Sequence, residues 1–461
     1  MDNMSRRTVI RASIGLMATG PLARPYIANA QAKTANIWVG QGFVQQEDIA
    51  FKKTVADYEK LTGNKIEHSI MPFMALNQKT ISALTSGDVP DLVFHDAPTA
   101  VLPQNAWHDR LVDMTDVVET QKGKFTETAL LSASFYNGTT KKRSYYLAPV
   151  KQASAPYHIW SDLVEKAGFK MSDIPARWDD RWNFFKSVQK ELRAKGMRKM
   201  YSLGLQITTV GPNDGNGLFY HFMIANGGQD IITKDGRLHT SDKKVREAAI
   251  HSVEFMTGLY KDGYVPPEAL SWNDADDNNA YHEKLFVMNF DGTLSPELAV
   301  ITKKPQAYRD EMRVLSVGLK NDGTPMLAQI GAGGGFIPKG SKNVTVAKDF
   351  MTYFIRPEVM NENLKGGLGR WCPSIPQVVK DDPWWTDSSL DPHRSQYVEQ
   401  TVLNPTLPNY IGYNPAIGQV NAEQLWGQCH ADVIKNGLTP AQAVDKAFKR
   451  ADAIFSKFSF S

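Results

Sequence analysis

The sequence predicts an α/β protein of two lobes, and three observations carry that reading. Apolar runs over residues 36–94 follow a strand, helix, strand, helix, strand rhythm. The alternation resumes after Pro149 and continues to an apolar strand at 285–290. About 430 residues remain once an export leader is set aside, more than one hydrophobic core usually serves.

The chain begins with that leader. Ser5-Arg6-Arg7-Thr8-Val9-Ile10 sets an arginine pair ahead of a weakly apolar stretch from Ile14 to Leu22, which Arg24 then interrupts. The stretch falls short of the roughly 20 residues that span a bilayer, and small-x-small cleavage sites follow at Ala28-Asn29-Ala30 and Ala30-Gln31-Ala32. Residues 1–32 are therefore expected to be an export signal cleaved near Ala30 or Ala32. The arginine pair resembles a twin-arginine signal, which implies export in folded form to the periplasm; the alternative is an ordinary basic leader of the general secretory route. The leader holds Arg6, Arg7, Arg11 and Arg24 against Asp2, which equals the net +3 of the whole chain (52 basic, 49 acidic residues). The mature chain is thus near neutral and has no basic runs, so neither nucleic acid nor an anionic membrane is expected as partner. Cys372 and Cys429 are the only cysteines, too few to staple a fold of this size, and their pairing stays open.

After the leader come a strand at 36–39, a Gly-Gln-Gly turn, and a helix that turns Phe51, Val55 and Tyr58 to one face and closes at Gly63. Alternating Ile66, His68 and Ile70 predict a second strand, 75–84 a second helix, and Asp91-Leu92-Val93-Phe94 a third, buried strand. This rhythm predicts a mainly parallel sheet. In such sheets ligands bind beyond the carboxyl ends of the strands, which points to Gln41 to Gln45, including Phe43, and to His95 and Asp96. In the second block, 160–167 reads as a helix ended by Gly168, and Trp178 and Trp182, at helical spacing after Pro175, read as packing. The run 273-NDADDNN-279 sets Asp274, Asp276 and Asn278 at alternate positions, like the first ligands of a calcium loop. It has Asn279 where that loop needs Gly and Leu285 where it needs Glu, so a solvated loop and helix cap is expected and no metal site. Later, 331-GAGGGFIPKGSK-342 reads as a glycine loop. Ser341 takes the place of a phosphate-binding lysine and Pro338 lies inside the loop, which argues against a nucleotide site. Ser341 or Asn343 is expected to cap a helix whose face is Ala347, Phe350, Met351 and Phe354, with Pro357 ending it at Arg356. Helices are expected over 424–434 and 440–455.

Common enzyme signatures are missing: there is no G-x-S-x-G, no H-E-x-x-H and no C-x-x-C. A glycosidase needs only two carboxylates placed in space, so a carbohydrate-active hydrolase or lyase stays as the enzyme alternative. A receptor for a polyol needs side chains that fork hydrogen bonds and flat aromatic faces that cover sugar rings. Ten Trp and sixteen Tyr are available, with Tyr220, Trp371, Trp384, Trp385, Tyr410 and Tyr413 next to loop-forming residues.

Several blocks, in order along nearly the whole mature chain, resemble the family 1 extracellular solute-binding proteins, the maltose-binding-protein-like periplasmic receptors of carbohydrate ABC importers. They are Ser86-Gly87-Asp88-Val89-Pro90-Asp91-Leu92-Val93, similar to the family's sGd-PDvv; Trp160 to Phe169, similar to yNkdlfekaGl; Arg177-Trp178-Asp179-Asp180, similar to TWde; Ala225-Asn226-Gly227-Gly228; and Ser341 to Phe354. Thr293-Leu294 stands where the family often has an aromatic after Asp291-Gly292, and Trp160-Ser161 replaces the usual Tyr-Asn. The resemblance implies the type II periplasmic-binding-protein fold, with two discontinuous α/β lobes, 33–149 plus about 337–375 and about 150–331 plus 376–461. Three crossovers are implied near 149–152, 331–337 and 373–379, with Gly331, Gly333, Gly334 and Gly335 as hinge. It implies a monomeric receptor without catalysis or cofactor that closes on a sugar, oligosaccharide or related polyol and hands it to a membrane permease, with Lys151, Arg370 and His95 leaving room for an anionic sugar acid or sulfonate. The implied cleft residues are Gln41, Phe43, His95, Asp96, Lys151, Gln152, Asn216, Tyr220, Asp291, Arg370, Trp371 and Tyr413.

Overall fold

Buried Ala35, Ile37 and Val39 alternate along Thr34–Gly40 (β1), the pattern of a strand with one covered face. Gln45–Thr62 (α1) packs Phe51, Val55 and Tyr58 inward and ends at Gly63, whose φ of 77° is the left-handed conformation glycine supplies at a helix end. Lys65–Met71 (β2), Phe73–Ser86 (α2) and Leu92–His95 (β3) complete the predicted βαβαβ unit, with β1 parallel to both β2 and β3. The computed structural model describes residues 33–210, 214–273 and 275–460; the expected export signal with its expected cleavage sites, and Asp274, lie outside the described residues.

Beyond this unit the strands divide between two larger sheets. A hairpin of Ser134–Asn137 (β4) and Lys142–Tyr145 (β5) precedes Ala148–Ala153 (β6). Tyr157–Trp160 (β7), Tyr201–Gly204 (β8), Phe286–Phe290 (β9) and Met312–Leu315 (β10) form a four-stranded sheet in the order β10-β7-β9-β8. Ala328–Phe336 (β11), Cys372–Pro373 (β12) and Thr406–Pro408 (β13) return to the first sheet, ordered β12-β6-β11-β3-β1-β2 with β13 beside β11. The expectation of a mainly parallel sheet is corrected here. β11 runs antiparallel to β3 and β6, and β12 antiparallel to β6, so the sheet is mixed. Local sequence rhythm registers only strands joined by a crossover helix; β6, β11 and β12 enter after long excursions elsewhere.

The glycine stretch is the second correction. Gly331 to Gly335 is not a loop but the middle of β11, paired with β6 and, at Gly334 and Gly335, also with β3, with a register shift between Gly333 and Gly334. Strand propensity disfavours glycine, so the sequence reads as a loop, but close approach demands it here. A Cβ at Gly333 would lie 2.2 Å from the Asp96 carbonyl oxygen, and one at Gly334 2.0 Å from that of Ala148. The three segments expected as crossovers lie side by side, as β12, β6 and β11. The chain passes between the two sheets at 154–156 and again at 316–327.

Helices cover both sheets. The rings of Phe94 and Phe354 stack at 5.0 Å, joining β3 to the helix Val344–Phe354 under α1. Asn343 is the cap residue of that helix, but its side chain does not cap; the Asp91 carboxylate does, accepting from the backbone N–H groups of Lys342 and Asn343 and from the Ser341 hydroxyl. Pro357 opens the next helix, Pro357–Gly366, at its first turn. In the second sheet Trp178 and Trp182 are fully buried against Tyr157 and Phe290, as packing residues. The 273–279 run is only partly a cap. Asp276 accepts from the Asn273 N–H, whereas Asp277 is fully buried and accepts from Gln206 and Asn289. Among the described residues no group of three or more His, Cys, Asp or Glu could hold a metal ion, and no helix is long and apolar enough to cross a membrane. Cys372 and Cys429 are buried and unpaired.

Candidate functional site

The carboxyl ends of β1 and β3 face β6 and the segment leading into β12, and four charged side chains meet there. Lys151 of β6 donates to Asp96, which follows β3. Arg370 donates through Nη1 to Asp96 at 3.1 Å and to Glu47, in the first turn of α1, at 3.2 Å. Its Nε donates to Ser295 Oγ at 2.8 Å, reaching the segment that follows β9 in the other sheet. Two cations and two anions thus form one closed cluster. Burial alone would raise the Asp96 carboxyl; the adjacent Lys151 and Arg370 charges overcome it and hold the group below the ordinary carboxylate range. Burial likewise opposes the Arg370 charge, and Glu47 and Asp96 more than restore it.

Trp371 lies between the two cations, with Lys151 Nζ 5.0 Å and the Arg370 guanidinium 5.3 Å from its ring, and its indole N–H has no partner. Phe43 is 38% exposed and lies under Arg370 at 5.4 Å, a rim position. Gln41 is exposed, with its backbone N–H donated to Met71. A pocket of about 30 Å³ is enclosed between Gly40, Gly42, Glu47, Asp96, Lys151 and Trp371.

Two other predicted residues have their polar atoms committed within the chain. His95 is fully buried, with Nε2 on Asn77 Oδ1 at 3.0 Å and Nδ1 accepting the Ala97 N–H, and burial pushes its pKa down to about 4. It is a neutral imidazole that fixes the turn after β3. Gln152 accepts from Thr126 Oγ1 and donates to the Thr401 carbonyl, and is also fully buried. Neither side chain joins the charged cluster.

Asp291, at the end of β9, belongs to a second buried group. Both Glu297 carboxylate oxygens are 2.8 Å from His158 Nδ1, and the Asp291 carbonyl is 3.1 Å from His158 Nε2. Two acceptors on two ring nitrogens require two N–H groups, so His158 is an imidazolium paired with Glu297. Its pKa is raised accordingly: burial opposes the charge and the Glu297 carboxylate outweighs it. Burial and the nearby Asp277 push the Asp291 carboxyl up to about 8, and its Oδ2 has no partner within the chain. Asp291 is therefore protonated at neutral pH and can donate as well as accept.

The third set gathers Asn216, Tyr220 and Tyr413. Asn216 Nδ2 is 3.5 Å from the Asn421 carbonyl and from Gln424 Oε1. Tyr220 meets Tyr410 edge-on at 5.0 Å, and Tyr410 is 6.2 Å from Tyr413. All three aromatic rings are buried.

Glu47, Ser295, His158, Glu297 and Asp277 are missed by the sequence reading. Glu47 reads as an ordinary acidic residue of a first helical turn, and it does accept from the Val44 N–H. His158 follows a strand entry and carries no motif. The one available signal was Asp277, inside the run tested as a calcium loop.

Comparison with known proteins places this geometry. The chain is 24% identical over 392 residues to the diacetylchitobiose binding protein DasA of Streptomyces coelicolor, spanning 76% of this chain and 83% of that protein. It is 23% identical over 350 residues to an arabinooligosaccharide-binding protein of Bacillus subtilis, spanning 73% and 72%. Among solved structures, an ABC transporter solute-binding protein of Thermotoga lettingae bound with alpha-D-tagatose superposes with a TM-score of 0.73 at 20% identity, covering 92% of this chain and all of the other. The GacH receptor of Streptomyces glaucescens, solved unliganded and with acarbose, superposes at 0.72 and 15% identity over 93% and 100%. The profile described as Bacterial extracellular solute-binding protein matches residues 53–392. With motif order, two-sheet fold and profile in agreement over most of its length, the chain belongs to the bacterial extracellular solute-binding protein family.

Proposed function

We propose that this protein is the exported receptor of an ABC importer, that it binds a neutral sugar, oligosaccharide or related polyol between its two sheets, and that it hands the ligand unchanged to a membrane permease. The observation that carries the reading is the closed charge cluster. Lys151 is held by the Asp96 carboxylate and Arg370 by those of Asp96 and Glu47, so each cation of the cluster already has an anionic partner within the chain. What remains for a ligand is neutral hydrogen bonding: the Trp371 indole N–H as donor and the Asp291 carboxyl as donor and acceptor. Leaving such buried groups unpaired costs about 1–3 kcal/mol each, which ligand hydroxyls would recover. The names of the relatives, binders of diacetylchitobiose and of arabinooligosaccharide, support a carbohydrate ligand. Trp371, Asp291 and the rim residue Phe43 are the proposed contacts, with Lys151 and Arg370 against the Trp371 ring and Tyr220 and Tyr413 as a second aromatic wall.

In this proposal the two sheets part to admit the sugar and close on it. The proposed flexing segments are the passages at 154–156 and 316–327 rather than the glycines of β11, which are paired with β6 within a sheet. A hydrolase would need a second carboxylate able to activate water beside the protonated Asp291. Asp277, the nearest acid, instead accepts an amide N–H on each oxygen. Calorimetry over neutral saccharides and matched sugar acids tests the proposal. Tighter binding of a neutral saccharide, recovered intact, is expected; turnover, or preference for the acid, refutes it.

A further inference from the structure

Both passages between the sheets meet at one buried side chain. After β12 the chain runs through the C-terminal helices to a single π-helical turn, Glu399–Leu403, and such turns are often kept for a purpose other than stability. Gln400 within it is 3% exposed. Its Oε1 accepts the Val317 N–H at 2.8 Å, on the passage from β10 to β11. Its Nε2 donates to Ser154 Oγ at 2.8 Å and to the Ala155 carbonyl at 3.2 Å, on the passage from β6 to β7. The neighbouring Thr401 hydroxyl adds a 2.7 Å bond to Ser154, and Gln396 in the preceding turn donates to Ser316.

We infer that Gln400 is a hinge pin: a positioning residue that ties the two inter-sheet passages to the π turn and thereby sets the relative orientation of the two sheets. An amide suits the task because it carries a donor and an acceptor on one rigid plane without a charge that titrates. One end serves each passage, and the side chain is long enough to reach both. Rotation of one sheet against the other changes the backbone at 154–156 and 316–327 together, and Gln400 is hydrogen-bonded to both, so it couples what would otherwise be two independent swivels.

The inference rests on the proposed hinge, but its test needs no ligand. Exposed Lys60 on α1 and exposed Lys190 on the helix Trp178–Ala194 lie on opposite sheets, and Lys60→Cys with Lys190→Cys accepts spin labels while the two native thiols are buried. Dipolar spectroscopy on the full mature chain is expected to give a displaced or broadened inter-label distance in Gln400→Ala. Gln400→Glu keeps the acceptor for Val317 and loses the donor to Ser154 and Ala155, so a smaller displacement is expected. Gln189→Ala serves as the control. Gln189 is an equally buried amide bonded within the second sheet's own layer, to Gly263, and its loss is expected to lower the melting temperature without moving the distance. An unchanged distance in folded Gln400→Ala, or an equal change in Gln189→Ala, overturns the inference. If Gln400→Ala does not fold, Gln400→Glu against Gln189→Ala decides by the same comparison. Failure of any sugar to bind would sink the proposed function and leave these distances to be judged on their own.

Discussion

Replacing Asp291 by asparagine keeps the side chain's shape and removes a carboxyl whose pKa burial pushes up to about 8. The folded pKa lies above the ordinary value of 3.8, so the folded state binds a proton that the unfolded chain releases. Asp291 therefore contributes fully below about pH 4, and its contribution is lost progressively as pH rises to about 8. Each pH unit in that window is worth about 1.4 kcal/mol, so between pH 5 and 7 the parent loses about 2.7 kcal/mol that the asparagine variant does not. His95, His221 and His430, whose pKa values burial pushes down to about 4, give the opposite slope below pH 6.5, so the parent curve alone does not isolate Asp291. The difference between the two proteins does. Urea unfolding of both from pH 5 to 9 should show the variant gaining on the parent up to about pH 8 and then running parallel to it. A difference constant across that range would refute the protonated carboxyl and with it the role of Asp291 as a neutral donor.

Three further outcomes follow from the same coordinates. Arg370→Met leaves Glu47 without its buried partner and should cost about 3–5 kcal/mol in denaturant unfolding, well beyond a surface ion pair; a loss under about 1 kcal/mol would mean that the cluster is solvated. Gly333→Ala forces a Cβ to within 2.2 Å of the Asp96 carbonyl oxygen and should destabilise by at least about 3 kcal/mol, whereas Gly331→Ala, with nothing within 4 Å, should be mild; equal melting temperatures would contradict the strand assignment of the glycine run. Ellman's reagent should find no reactive thiol in the native protein and two after unfolding without reductant, because burial raises both Cys372 and Cys429 and they are not bonded to each other; finding none after unfolding would reveal a disulfide.

Much of the fold was legible because its signals are local. The βαβαβ unit, the helix ends at Gly63, Gly87 and Gly168 and the Pro357 boundary each depend on residues a few positions apart, where periodicity and turn chemistry act directly. The site was legible by position and not by partnership. Asp96 was offered by its strand end and Lys151 by motif order, whereas Arg370 and Trp371 had only a loop position near the third expected crossover; the contacts that join the four are tertiary. That His95 beside them spends both nitrogens on Asn77 and Ala97 could not be read from a sequence in which it looks as available as Asp96.

The sequence by itself determined the alternation of elements, the family motifs and the near-neutral charge of the mature chain, each a property of composition or of short spacing. Tertiary structure alone decided which charges cancel. Arg370 meets Glu47 across 323 positions and His158 meets Glu297 across 139, and no local pattern records a contact made by two distant segments packing together. The glycine run shows the same division. Its residues announce freedom of the backbone, but pairing with β6, and at Gly334 and Gly335 with β3, removes that freedom, and the missing Cβ atoms of Gly333 and Gly334 allow close approach.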